Sequence, residues 1–198
     1  LLARFDLDCL PREPAVFTRL VAFARGEVET ADATAARARD ALARRRTQPW
    51  RQVLEAHEAA WAERWSQSDV RVDGDEAAER ALRFAVYQLN SAADPDDDTV
   101  SIGARALTGD AYLGHVFWDT EIYLLPFYTL TWPAAARALL MYRFHTLDGA
   151  RRKAARLGYQ GALYAWESAE TGDEATPEEI VDPAGRVLKI LCGLEEQH

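Results

Sequence analysis

The chain has 198 residues and a formal net charge of −9 at pH 7. This is long enough for one ordinary domain with a sizeable core, and an apolar share of 48% gives the profile of a globular protein. The acidic balance argues against a nucleic-acid footprint or a polybasic membrane surface, and favours a neutral or small-molecule partner.

The opening run Leu1-Leu2-Ala3-Arg4-Phe5-Asp6 lacks the basic n-region of a secretory signal. Cys9 and Cys192 stand near opposite ends without metal-type spacing. Such sparse usage indicates a reducing, cytoplasmic setting and two incidental thiols, with a single disulfide as the alternative. Val16-Phe17-Thr18-Arg19-Leu20-Val21-Ala22-Phe23, after Pro11 and Pro14 and before Gly26, is rich in β-branched and aromatic residues and predicts a strand. One or two strands cannot bury a face alone, so their partners are expected N-terminal to Leu1.

From Ala31 the signal turns helical. Ala33 to Arg46 is built of Ala, Arg and Leu with a thin apolar stripe, which predicts a surface or linker helix. Pro49 suits the first turn of the next helix, where Trp50, Leu54, Trp61 and Trp65 fall on one face. Asp75 to Ala92 follows, with Leu82, Ala85, Val86 and Leu89 as its stripe. Ala93 to Asp98 is an acidic turn, and residues 99–119 read as a glycine-bearing loop. Asp119 to Thr131 and Pro133 to Leu157 read as consecutive helices split at Trp132-Pro133. The apolar stretch Ile122 to Tyr142 is interrupted by Pro126, Pro133 and Arg137, so a buried helical pair is expected there and not a membrane span. From Gly158 the tail is mostly loop, punctuated by Pro177, Pro183 and Gly185. Long loops in a helical domain are commonly functional.

Two constellations carry candidate chemistry. In Gly114-His115-Val116-Phe117-Trp118-Asp119-Thr120-Glu121 an aromatic pair meets two carboxylates and an imidazole where a loop enters a helix. A sugar site needs a flat apolar surface and fixed carboxylates for hydroxyl pairs, and Trp118 beside Asp119 supplies both. The competing reading is a buried Trp next to an Asp helix cap. In Tyr164-Ala165-Trp166-Glu167-Ser168, followed by Thr171-Gly172-Asp173-Glu174, Glu167 is either a sugar ligand or a group that orders the first loop. His115, Asp119, Glu121 and His145 do not have zinc-site spacing, so no metal or other cofactor is expected. There is no GxSxG for a serine hydrolase, and Gly103 to Gly109 is not a phosphate loop. Residue types and spacing alone reach only a mostly helical protein with a candidate sugar site.

The run Val100-Ser101-Ile102-Gly103-Ala104-Arg105-Ala106-Leu107-Thr108-Gly109, continuing through Gly114 to Glu121, resembles the signature of glycoside hydrolase family 65. So do Leu140-Met141-Tyr142-Arg143-Phe144-His145-Thr146-Leu147 and Gly149-Ala150-Arg151. Gly158-Tyr159, Gly161-Ala162, Tyr164 and Trp166-Glu167-Ser168-Ala169 continue the match in order, so that it covers roughly residues 50–198. That family holds maltose, trehalose, kojibiose and nigerose phosphorylases with a few hydrolases. The resemblance implies a mainly α fold: residues 1–30 as the end of an N-terminal β-sandwich, 31–66 as a helical linker, and 67–198 as the first part of an (α/α)6-barrel catalytic domain.

By the same resemblance, Trp118 and Asp119 hold the glucosyl ring where the bond is broken, and Trp166 and Glu167 belong to the substrate-binding loops. The implied reaction is inverting phosphorolysis of a disaccharide to β-glucose 1-phosphate, with inorganic phosphate as co-substrate and no cofactor. An inverting hydrolase needs a second carboxylate to activate water, whereas phosphate is already a nucleophile. The family's general acid and phosphate-binding residues are expected beyond His198, so the chain alone is expected to be inactive. The alternatives are a hydrolase of the same family, or a truncated sugar-binding or interaction module whose incomplete barrel exposes apolar helix faces. Family members are often homodimers. Ala165 and Asp148 stand where members usually or often carry proline, a change that loosens a loop by up to about 1 kcal/mol through the unfolded chain.

Overall fold

A computed structural model describes residues 14, 18–26, 30–109, 111–177 and 179–189. Cys9, Cys192, the first residues of the predicted strand and the run from Gly193 to His198 lie outside the described residues. The chain separates into two compact units, Leu1–Trp61 and Ala62–His198, with the boundary inside a helix. Helices dominate the described residues.

In the first unit, residues 18–26 form no strand, contrary to the expectation for Val16 to Phe23. β-Propensity expresses a fit to a pleated, half-buried surface, and here Phe23 is 94% exposed. Helix α1, Ala31–Arg46, buries no residue, as expected of a surface helix. Its charges suit the helix dipole: Asp32 lies in the first turn and Arg44, Arg45 and Arg46 in the last. Helix α2, Trp50–Ser68, forms as predicted, and its aromatic stripe packs in part: Trp61 meets the His57 ring edge-on at 6.4 Å, and Arg83 lies over the Trp65 ring at 5.1 Å. Trp50 is 66% exposed, and Ser68 is the buried residue of this helix.

The second unit begins with the last two turns of α2. There Arg64 donates from Nη2 to the Thr131 carbonyl at 2.8 Å and lies 4.1 Å over the Trp132 ring. The buried Asn90 amide donates to Ser68 Oγ at 2.9 Å. Helix α3, Glu76–Ala92, starts at Asp75, whose carboxylate accepts from the backbone N–H groups of Ala77 and Ala78. Of the predicted stripe, Val86 is buried and Leu89 packs on the core, while Leu82 is half exposed.

The core is built from Ile102, Tyr128, Ala135, Ala136 and Leu139. It sits between α4, Leu125–Thr131, and α5, Pro133–His145. Trp132 and Pro133 split these two helices as predicted, with Pro133 opening α5. Tyr128 is fully buried and donates its hydroxyl to the Leu89 carbonyl at 2.7 Å, and burial raises its pKa. The expected single run from Pro133 to Leu157 is broken at Thr146, after which α6, Leu147–Arg156, begins. The Thr146 hydroxyl turns back onto the Tyr142 carbonyl at 2.9 Å and ends α5. Asp148 lies in the first turn of α6, where a carboxylate favours the helix dipole.

The tail is less loop-like than expected. Strand β1, Val116–Phe117, pairs antiparallel with β2, Glu167–Ser168. Strands β3, Glu179–Val181, and β4, Val187–Lys189, form a hairpin. Its turn is set by Asp182 Oδ1, which accepts from the backbone of Ala184 and Arg186, and by Gly185 at φ +78°. No helix among the described residues is long and apolar enough to cross a membrane.

Candidate active-site loops

The two constellations predicted from sequence come together through a short ladder. Val116 pairs with Ser168 and Phe117 with Glu167, while isolated bridges add Gly103 to Val116 and Glu174 to Ser168. Two loops distant in sequence are thereby tied into one surface. On it Trp118 and Trp166 meet edge to face, with ring centroids 5.1 Å apart and planes at 73°. Phe117 also meets the Trp166 ring edge-on at 6.1 Å, and Tyr112 closes on Phe117 at 5.4 Å.

The approach to this pair is strained. Tyr112 and Leu113 adopt φ of +65° and +55°, and Gly114 follows at +78°. Left-handed backbone is uncommon for bulky residues, and such positions cluster at functional sites. Immediately after Asp119 the helix opens as a π-turn, Thr120–Leu124, before α4 takes over.

Asp119 is not the cap that its sequence position allows. Its own backbone is already helical, at φ −51° and ψ −32°, and its side chain takes no cap bond. Among the described residues its carboxylate has no hydrogen-bond or ion-pair partner. The neighbouring carboxylates are all engaged. Glu121 Oε2 accepts from Arg143 Nη2 at 2.8 Å. Glu167 Oε1 lies 2.7 Å from His115 Nδ1, a contact that ties the two loops together.

Glu174 is the anchor of the second loop. Its Oε2 accepts from Lys153 Nζ at 2.7 Å and from the Trp166 backbone N–H at 3.0 Å. Its Oε1 accepts from the Glu167 N–H at 3.1 Å and the Thr176 hydroxyl at 2.7 Å. Burial alone would raise the Glu174 carboxyl. The hydrogen bonds from Lys153, Thr176 and the backbone of Glu167 and Trp166 outweigh it and hold the carboxyl below its ordinary value. Both side chains of the Lys153–Glu174 pair are nearly inaccessible, at 2% and 4%.

Arg143 on α5 joins the two loops from beneath. It is buried, and besides Glu121 it donates from Nη2 to the Phe117 carbonyl at 3.0 Å. Its Nη1 reaches Ser168 Oγ at 3.5 Å, and its guanidinium lies over the Tyr142 ring at 5.3 Å. Tyr142 in turn donates its hydroxyl to the Ala169 carbonyl at 2.8 Å. Helix α6 is held close to the same loop by a pair of glycines. A Cβ on Gly149 would stand 2.6 Å from the Thr171 carbonyl oxygen, and one on Gly172, at φ +71°, 2.6 Å from Thr146 Cβ.

The sequence reading singled out Trp118, Asp119, Trp166 and Glu167 but gave no role to Arg143, Lys153 or Glu174. For Lys153 a signal existed: it shares a helical face with Ala150 and Ala154, both fully buried, where a solvated lysine has no place. Arg143 lay within a motif quoted for resemblance alone. Among the described residues no group of three His, Cys, Asp or Glu side chains is placed to hold a metal ion.

Residues 83–198 match the family described as the glycosyl hydrolase family 65 central catalytic domain. A kojibiose phosphorylase of Halothermothrix orenii is 46% identical over 154 residues, which cover 77% of this chain and 20% of that protein. A kojibiose hydrolase of Flavobacterium johnsoniae is 42% identical over 146 residues, covering 74% of this chain and 20% of that protein. Other relatives are named nigerose and α,α-trehalose phosphorylases. A solved structure from the human microbiome, provisionally assigned as a kojibiose phosphorylase, superimposes with a TM-score of 0.64 at 31% identity, over 74% of this chain and 19% of that one. The chain thus spans about a fifth of the length of the relatives it matches. It belongs to glycosyl hydrolase family 65.

Proposed function

We propose that this chain supplies the glucosyl-binding loops of an inverting α-glucoside phosphorylase, with kojibiose as the first disaccharide to test. The observation that carries the reading is the contrast among carboxylates. Glu121, Glu167 and Glu174 are engaged by other side chains or by backbone, whereas Asp119, beside the Trp118–Trp166 pair, has no protein partner among the described residues. An aromatic wall beside an unengaged carboxylate matches the needs of a pyranose ring: stacking for its apolar face and a charged acceptor for a pair of hydroxyls. In this reading Trp118 and Asp119 hold the glucosyl ring, Trp166 completes the aromatic wall, and Glu167 sets the loop through His115.

The proposal extends to the layout that the resemblance implies. Residues 1–30 end a β-sandwich, 31–66 form a linker, and 67–198 begin an (α/α)6 barrel. The general acid and the phosphate-binding residues are contributed by sequence that the relatives possess beyond the region matched here, and no cofactor takes part. The enzyme works in the cytoplasm, as a homodimer. In the reaction, an acid protonates the glycosidic oxygen while phosphate attacks the anomeric carbon from the opposite face, releasing β-glucose 1-phosphate and the acceptor sugar. Maltose, nigerose and trehalose are the comparison substrates.

A hydrolase is the second reading, favoured by the Flavobacterium johnsoniae relative. The deciding experiment incubates the full-length protein with each disaccharide, with and without phosphate, and follows β-glucose 1-phosphate and free glucose. Phosphate-dependent β-glucose 1-phosphate is the expected result. Phosphate-independent release of glucose selects the hydrolase, and cleavage of none of these disaccharides overturns both. Asp119→Asn should lower kcat/KM by about 10- to 100-fold, the loss of a charged hydrogen bond of roughly 1.5–3 kcal/mol.

A further inference from the structure

We infer that Arg143 is the positioning residue of the Trp118–Asp119 pair, fixing the glucosyl-binding groups through the residues that flank them and linking them to the Trp166 loop. The inference rests on the glucosyl-binding reading for its functional consequence, but its structural content stands independently.

The guanidinium touches neither Trp118 nor Asp119. Its Nη2 instead bonds the carbonyl of Phe117, one residue before the pair, and the carboxylate of Glu121, two residues after it. Two bonds from one nitrogen thus hold the backbone before the pair and the Glu121 side chain after it. The same guanidinium reaches Ser168 on the facing strand, one residue past Glu167. The backbone carbonyl of Arg143 accepts the Tyr164 hydroxyl at 3.2 Å, so the second loop is tethered to this residue from two directions.

The guanidinium meets a carbonyl and a carboxylate from one nitrogen and a hydroxyl from another held in the same plane, whereas a lysine at this position has a single nitrogen on a flexible stem. The location matters as well. Arg143 sits in the last turn of α5, a rigid element packed into the core through Ala135, Ala136 and Leu139. The strained turn before the ladder is irregular backbone that buries no residue, and the π-turn after it buries Thr120. A rigid helix therefore reaches into irregular backbone and sets it, which is the arrangement needed to hold a site within a fraction of an ångström.

The test uses Arg143→Lys and Glu121→Gln in the full-length protein labelled with fluorotryptophan, with resonances assigned by single Trp→Phe changes. The expected result is that the fluorine signals of Trp118 and Trp166 move or broaden in both variants. That of Trp132, which rests on Arg64, keeps its position, and the far-ultraviolet circular dichroism is unchanged. In the phosphorolysis assay kcat/KM should fall by about 100-fold, the cost of misplacing a binding group by about 1 Å, with kcat falling along with it. Unmoved Trp118 and Trp166 signals in a folded variant would overturn the inference. So would a collective shift of all tryptophans with loss of helix in both variants, since Arg143 would then hold the whole fold and not the site. If the unsubstituted protein cleaves no α-glucoside, the functional proposal falls, while the fluorine signals still decide what Arg143 positions.

Discussion

Replacing Lys153 by Met removes the cation of the buried ion pair beneath the Trp166 loop, together with its 3.3 Å bond to the Tyr164 carbonyl. Lys153 Nζ and Glu174 Oε2 are 2.7 Å apart with both side chains almost inaccessible, so solvent screening is slight. Methionine preserves most of the volume and leaves the Glu174 carboxylate buried without its cation. Removing one partner of a buried pair typically costs about 3–5 kcal/mol. Thr176 and the backbone N–H groups of Trp166 and Glu167 still serve Glu174, so a value near the lower bound, about 3 kcal/mol, is expected. Urea unfolding at pH 7 measures it as a shift in midpoint at constant slope.

The pH dependence gives a second check. The Glu174 carboxyl is held below its ordinary value of 4.5 in the folded state. A depressed carboxyl contributes stability that is fully present above the unfolded pKa and is lost as pH falls through the folded one. The gap between the parent protein and Lys153→Met should therefore be constant from pH 7 to about 5 and narrow below the ordinary carboxyl range. Adding Glu174→Gln removes the orphaned charge and should recover more than half of the loss at pH 7. A single-variant loss under about 1 kcal/mol, or a gap that does not change with acid, would refute this account of the pair.

Two further substitutions probe the frame around the loops. Gly149→Ala drives a methyl group into the backbone of Thr171 and Gly172 and should destabilise the protein by about 1–3 kcal/mol, read as a lowered Tm. Asp75→Ala removes the acceptor for two N–H groups at the start of α3 and should cost about 1 kcal/mol in the same measurement, with phosphorolysis unchanged.

Much of the helical frame was legible because its signals are local. Asp75 announces the start of α3, and Pro133 that of α5, through chemistry that acts within one turn. Residues 18–23 of the expected strand form none, because a strand exists only by pairing and its partners were expected N-terminal to Leu1. The break at Thr146 was hidden for a similar reason. It depends on a hydroxyl turned onto the preceding turn and on Gly172, a residue far along the chain, packing against it. For the site, the aromatic–carboxylate pairs were visible as residue types. Which carboxylate is engaged was not, because Glu167 and Glu121 find His115 and Arg143 only once the chain has folded.

The ladder that joins β1 to β2 also bears on the order of folding. His115 and Glu167 are 52 residues apart, and everything from the π-turn to the end of α6 lies in the loop between them. Closing a loop of that length costs roughly 3.5 kcal/mol of chain entropy before any contact repays it. Helices α4 and α5, adjacent in sequence, face no such delay. The helical pair should therefore collapse first and the tryptophan surface assemble last, and on unfolding that surface should be the first to come apart. Proteolytic nicking or hydrogen exchange in these loops would then report the earliest loss of a working enzyme, ahead of any loss of helix.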